Sequence, residues 1–424
     1  MGILDRYEIL NNGITVCAHK CDGKNIRAVL AFSGGFSDEA NPKRGITHML
    51  EHMMLRRLAG MSQQEIYNRA RRMGTAIHAV TCRETVYFDI DANAKYIEEQ
   101  LELLHMIFEK PQWTEEDFNK EKEVVLRQIE GKYYSETEQY IFERCYSNRL
   151  KGLIMGTYEQ VKAMELSQVY MWYEQIIRSE NACLTLTGAV NEEHFLLARE
   201  KFGGLLGEKK RILQRTSLPS SFMQHGNGKI FLMNSEYDIA EVSILFDGLP
   251  QDAFFMELLS AVLGKGDGSE LSLVLREQMG LTEEVFTVMH MFRGYSLLEI
   301  NMQISAEYIL KGISEVFRML EQIKTDFSEA RILLHRDYLV NWIDLYCDGN
   351  ISEESDILAW RKFILGQNLK NAAQLADIYR TMTVQQIRNF SQKLLQKNNM
   401  TLIVSAPKGS VTLKELKEVV NMLH

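Results

Sequence analysis

Two imidazoles and a carboxylate fall within five positions of one another in the stretch GITHMLEHMMLRR, residues 45–57: His48, Glu51 and His52. On an α-helix, residues four apart differ by about 40° of rotation, so His48 and His52 leave the same face and can share one metal ion. Neutral imidazole is a good donor for zinc. Zinc lowers the pKa of the water it holds towards about 7, and a carboxylate beside the pair can accept that proton and hand it to a leaving amine, as peptide hydrolysis requires. The same spacing also suits an amphipathic helix in which Ile46, Met49, Leu50, Met53 and Leu55 face a core and the histidines are satisfied by neighbours. The surrounding sequence has to separate the two readings.

Before the motif, ITVCAHK and RAVLAFSGG are β-rich runs, and a loop at Pro42 leads into the helix. After it, residues 74–90 predict two strands around Cys82 and Arg83, and residues 93–109 predict a helix. From Thr114 onward the spacing is helical over many turns, opened by Thr114 with the acidic Asp117 three residues later, a capping-box pattern. NACLTLTGAVNEEHF predicts a buried strand turning at Gly188 into a helix near Asn191.

The second half echoes the first. Asn181 and Leu184 recur as Asn399 and Leu402 at an offset of 218, and LAFSGG from Leu30 is echoed by ILFDGL from Ile244 at an offset of 214. Two echoes at nearly one offset predict an internal duplication. The expected fold class is therefore α+β, with two similar domains, each a mainly antiparallel sheet packed with long helices. The polar stretch at residues 207–228 is the best linker candidate, which places an N-terminal domain at 1–210, a linker at 211–228 and a C-terminal domain at 229–424.

The chain has 424 residues, too many for one core, with 46% hydrophobic residues, 25% charged residues and a net charge of −9. That charge, with no Lys/Arg-rich block, argues against a nucleic-acid partner. No apolar run suits a membrane span, and the first residues lack the pattern of a secretory signal, so a cytoplasmic location is expected. Six scattered cysteines read as thiols rather than as a disulfide framework, and the C-x3-C of Cys17 and Cys21 has no matching second half.

His48-x-x-Glu51-His52 is the inverted zinc-protease signature. With FSGGFSDEANPKRG before it, and HAVTCRETVYF, EKEVVLRQI, IMGTYEQV and LREQMGL after it, the chain resembles the insulinase and pitrilysin family of metallopeptidases. The resemblance covers nearly the whole chain. It implies zinc as cofactor, His48 and His52 as ligands and Glu51 as general base. It implies a peptide substrate paired with a strand edge at His78 and Ala79, and a substrate-binding role for Arg276. Half-size relatives work as dimers, so it also implies a homodimer or a heterodimer with a related subunit.

Three positions depart from the family pattern. The third ligand, a glutamate in an E-x6-E segment, corresponds here to Gln128, 76 residues after His52, with Glu121 at the supporting first position. A neutral amide oxygen is a weaker donor than a carboxylate. Glu121 lies about 10 Å away along the helix axis, and Glu130 is rotated by about 200°, so neither takes the place of Gln128. Seven residues after Arg276, where relatives carry a tyrosine, stands Glu283, which cannot donate a hydrogen bond when ionised; the alternative reading pairs Arg276 with Glu277 or Glu283 as a surface charge. His78 replaces an asparagine, either contacting substrate, approaching the metal as a substitute ligand, or serving as an ordinary strand residue.

Two functions are thereby expected. One is a zinc endopeptidase that cuts peptides in an enclosed chamber formed with a second subunit. The other is a weakly metal-binding or non-catalytic peptide-binding subunit that completes the chamber of an active relative, as in the trimming of leader peptides. An unrelated helical binding protein is a third reading, disfavoured by the duplication.

Overall fold

The computed structural model describes residues 5–40, 43–131, 136–145, 149–207, 229–347, 350–369 and 371–424. The chain forms two compact units, one of residues 1–135, 141–216 and 346–372, the other of residues 136–140, 217–345 and 373–424. The sequence-based linker at 211–228 lies outside the described residues. The segment 346–372, which the sequence division leaves in the C-terminal half, groups with the first unit.

The first unit is built on a six-stranded sheet: β1 (Asp5–Ile9), β2 (Thr15–Lys20), β3 (Asn25–Ser33), β6 (Ile77–Thr81), β7 (Thr85–Asn93) and β8 (Ala182–Gly188), in the order β1-β2-β8-β3-β7-β6. A small ribbon, β4 (Arg57–Leu58) and β5 (Met61–Ser62), stands apart from it. All but two residues of β3 are fully buried, because both faces of the sheet are covered. Ala28, Leu30, Phe32 and Phe88 pack in the main core with α1 (Ile46–Met54), α2 (Gln63–Arg72) and α3 (Ile97–His105). Cys17, Ala31 and Cys183 face the other way, against Leu358, Phe363 and Ile364 of the 346–372 segment.

The second unit has a five-stranded sheet: β9 (Lys229–Ser235), β10 (Ile239–Gly248), β11 (Thr282–Phe292), β12 (Tyr295–Ser305) and β13 (Met400–Pro407), in the order β11-β12-β10-β13-β9. This repeats the first sheet from β6 to β2, including one parallel pair in each, β2 with β8 and β9 with β13. The sequence echoes are structurally equivalent. Leu30 pairs with Leu184 across β3 and β8, and Ile244 with Leu402 across β10 and β13. The two asparagines also do the same work: Asn181 donates to the Ile176 carbonyl and Asn399 to the Leu394 carbonyl, each at 2.9 Å. The fold is α+β, two similar domains of mainly antiparallel sheet and helix, and among the described residues β1 has no counterpart in the second sheet.

The helix predicted from Thr114 onward runs as α4 (Glu115–Glu130) and stops at Gly131. Among the described residues no helix is long and apolar enough to cross a membrane.

Candidate metal centre

The helix α1 begins at Gly45, which offers no side chain to cap the orphan amides of the first turn. Glu39 caps them from six residues upstream: its two carboxylate oxygens accept from the Gly45 and Thr47 amides, each at 2.8 Å. Gly45 adopts φ 89°, and a Cβ there would stand 2.3 Å from the Met155 carbonyl oxygen, so the loop at 155–156 can press on the helix start only because position 45 is glycine. Further in, the Trp172 indole donates to Thr47 Oγ1 at 3.0 Å. Ile46, Met49, Leu50, Met53 and Met54 enter the core, and His48, Glu51 and His52 are left half-buried on the remaining face. Leu55, expected in the core, is the partly buried residue that ends the helix.

The helix α4 packs against α1 and supplies the other side chains. Thr114 and Asp117 form the predicted capping box. Asp117 also accepts from Arg57 at 2.5 Å. Glu121, one turn on, is buried and faces His52: its Oε2 is 3.0 Å from His52 Nδ1, and its Oε1 is 3.3 Å from Arg56. Two turns further along the same face, Gln128 Oε1 lies 3.0 Å from His48 Nε2. The rings of His48 and His52 stand 4.8 Å apart between centroids, and ligand atoms of His48, Glu51 and His52 all lie within 4.8 Å of one another.

This arrangement fits zinc. With metal–nitrogen and metal–oxygen distances near 2.1 Å, neighbouring ligand atoms of a tetrahedral site lie about 3.4 Å apart, and His48 Nε2 and Gln128 Oε1, at 3.0 Å, need to part by only a few tenths of an ångström to reach it. Glu121 on Nδ1 fixes the His52 ring and leaves its Nε2 as the ligating atom, the carboxylate support that metal-binding histidines usually have. The donor set is two imidazoles and a neutral amide oxygen, with the Glu51 carboxylate adjacent. Gln128 is exposed, so water has access to this side of the site.

The electrostatics favour an ionised Glu51. Burial pushes its carboxyl up, but hydrogen bonding and charge from His48, with help from Thr81 and His52, outweigh burial and hold it below the usual carboxylate range. For His48, burial pulls the pKa down, and Glu51 and Gln128 together more than reverse this, so that it lies above the ordinary histidine value. Glu39 behaves differently: burial raises its carboxyl to about 7 against the lowering pull of Thr47, Gly45 and Arg44.

Among the described residues the strand β6 is the edge of its sheet, hydrogen-bonded only to β7. Side chains alternate along it. Ala79 packs against the core on the α1 side, and Thr81, on that same side, donates to the Thr47 carbonyl at 3.4 Å and helps to lower the pKa of the Glu51 carboxyl. His78 points to the opposite face, exposed, with Nδ1 3.5 Å from Asp89. The expectation of His78 as a substitute metal ligand therefore fails on strand parity: His78 and α1 lie on opposite faces of the sheet.

Arg276 belongs to the second unit, in a π-helical stretch at Ser272–Gln278. Its guanidinium pairs with Asp267 at 3.0 Å and Glu277 at 3.5 Å. The expected partner Glu283, on β11, forms no ion pair among the described residues. Asp267 was not legible from the sequence because it approaches across a loop nine residues upstream.

Glu39, Thr81 and Trp172 are functional neighbours that the sequence reading did not single out. The one available signal was a helix opening on glycine without a capping side chain, which implies an acceptor from elsewhere.

A duplicated α+β chain carrying an inverted His-x-x-Glu-His helix against an edge strand defines a class of metallopeptidase-like proteins, and comparison with known proteins agrees. The profile described as insulinase (peptidase family M16) matches residues 15–157, and that described as peptidase M16 inactive domain matches residues 163–339. The beta subunit of the mitochondrial-processing peptidase of Dictyostelium discoideum is 21% identical over 267 residues, 60% of this chain and 56% of that protein. The chain thus spans little more than half the length of that relative. A Rickettsia felis protein described as an uncharacterized zinc protease is 23% identical over 288 residues, 65% of this chain and 68% of the relative. The crystal structure of a protease from Helicobacter pylori has the same fold, with a TM-score of 0.83 and 17% identity over 96% of this chain and 100% of that one. The chain belongs to the insulinase family of peptidases, M16.

Proposed function

We propose that this chain is a zinc-dependent endopeptidase subunit whose metal affinity is limited by Gln128. The observation that carries the reading is the intact support of the site: Glu121 holds His52 Nδ1 at 3.0 Å while Gln128 Oε1 stands 3.0 Å from His48 Nε2. A helix that needed its histidines only for packing would have no use for a buried carboxylate oriented on one of them.

His48, His52 and Gln128 would hold the ion, which when bound supplies Lewis acidity to the scissile carbonyl and to water. The rest is the work of this chain's own groups. The open edge of β6 pairs with an extended peptide through main-chain hydrogen bonds, so His78 and Ala79 contribute backbone whatever their side chains are. Thr81, at the end of that strand, donates to the Thr47 carbonyl in the first turn of α1 and so ties the edge to the helix that carries Glu51. Glu51, ionised, takes a proton from the attacking water and returns it to the departing amide nitrogen, so the peptide bond breaks into a carboxylate and an amine.

A second reading rests on Arg276. Its exposed guanidinium pairs with Asp267 and Glu277, which partly offsets its charge towards a substrate carbonyl, and this favours a chain that provides one half-site and relies on a related subunit for the other. In that form the chain works as a heterodimer that encloses a peptide, with leader-peptide trimming as one such task. Zinc content and peptidase activity, measured alone and after mixing with a related subunit, separate the readings, with Glu51→Gln as control. Activity of the isolated chain that persists in Glu51→Gln would defeat both.

A further inference from the structure

Outside the motif, a second group of metal-ligating side chains is assembled on the opposite face of the first sheet. His19 lies near the end of β2 and Cys21 directly follows the strand, with its ligand atom brought to the same side as that of His19. Across from them stands Glu354, in the helix Ile351–Asp356 of the segment that covers this face. Ligand atoms of His19, Cys21 and Glu354 all lie within 4.8 Å of one another.

Three details make this more than a coincidence of polar groups. First, His19 Nδ1 is bonded to the Asp5 carboxylate, and β1 pairs with β2 so that Asp5 lies directly beside His19. That leaves Nε2 turned to the cluster, the carboxylate–histidine support seen at metal sites. Second, His19 Nε2 is 3.4 Å from Glu354 Oε2, long for a hydrogen bond but close to the roughly 3.4 Å edge of a tetrahedral zinc site. Third, two of the three groups are withdrawn from water, the His19 and Glu354 side chains being 7% and 10% exposed, and Cys21 is half-buried beside them. Two carboxylates and a thiol in that space disfavour further negative charge: burial, then Glu354, with Asp5 contributing, push the Cys21 thiol up to about 12. A dication relieves this crowding, and its binding releases the thiol proton.

We propose that His19, Cys21 and Glu354 form a second, structural site for a zinc-class divalent cation, independent of the His48–His52 centre. One sulfur, one nitrogen and one oxygen donor suit zinc or cobalt better than the hard cations calcium and magnesium. Glu354 also accepts from the Ala372 amide at 3.3 Å, so an ion here would pin both ends of the 351–372 stretch to β2. Its role would be to hold this covering segment on the sheet.

The test uses the full-length His52→Ala protein, in which the first centre is disabled, titrated with cobalt(II) alone. The expected result is one bound equivalent with a thiolate-to-cobalt charge-transfer band in the near ultraviolet, and a rise in melting temperature on adding zinc. Both should vanish in His52→Ala/Cys21→Ser, while Cys21→Ser alone keeps the peptidase activity of the native chain. Cys21→Ser is a conservative change at a partly exposed position, and its circular dichroism reports whether the fold is retained. Absence of the band in His52→Ala, or its survival after Cys21→Ser, overturns the site.

Discussion

His52 Nδ1 lies 3.0 Å from Glu121 Oε2, a contact made across two helices by residues 69 positions apart. It fixes which imidazole nitrogen remains for a metal. Replacing Glu121 by Gln leaves one oxygen in place but removes the charge that orients the ring. Supporting carboxylates of this kind are worth about 10–100-fold in metal affinity, and that is the expected loss of zinc binding, measured by competition with a chelator. Unchanged affinity would mean that His52 is not a ligand.

Gln128→Glu should act in the opposite direction. A carboxylate oxygen at the position now 3.0 Å from His48 Nε2 binds zinc as an anion rather than as a neutral dipole. We expect zinc affinity to rise at least about tenfold and peptidase turnover to rise with it. If affinity stays flat or falls, the third ligand lies elsewhere.

The place of Gln128 at the site was legible only through the family resemblance, which puts a ligand 76 residues after His52; counting along the uninterrupted helix α4 then keeps Glu121 and Gln128 on one face. The duplication was legible for a related reason: Leu30 with Leu184, and Ile244 with Leu402, are cross-strand partners, so their repetition reflects repeated pairing. What escaped the sequence depended on distant neighbours. The first strand, DRYEI, is exposed along most of its length and lacks an apolar stripe. The face taken by His78 is set by which side α1 covers, and no local pattern records that. The covering segment 346–372 sits far from its sheet in the chain, so its partnership with β2 and β3 is purely tertiary.

Glu39 holds the start of the metal helix, and its two accepted amide bonds cannot both be made by a carboxamide. Glu39→Gln leaves one amide facing an NH2 group, at a cost of about 1–3 kcal/mol in unfolding free energy. Its folded pKa is raised to about 7 from 4.5, so between those values the folded chain binds more protons than the unfolded one. This contribution to stability is fully present below pH 4.5 and is lost as pH rises through about 7. Glu39→Gln should remove that slope from denaturant unfolding measured across the range, and an unaltered slope would show that Glu39 does not titrate there.

His48 carries a second pH signature. Its pKa lies above the ordinary 6.5, since Glu51 and Gln128 outweigh the effect of burial. A proton on His48 competes with metal, so zinc affinity should fall as pH drops through that raised value, by about tenfold per unit once below it. Affinity that is level from pH 8 to pH 6 would exclude His48 as a ligand.

The central claim is that His48 and His52 hold zinc beside a working Glu51. It is tested most directly by the zinc stoichiometry of the Cys21→Ser protein, in which the second site is removed, compared with Cys21→Ser/His52→Ala under buffered free zinc. One equivalent in the first protein and none in the second, with both folded by circular dichroism, is the predicted result. Equal zinc content in the two proteins, whether one equivalent or none, would contradict it.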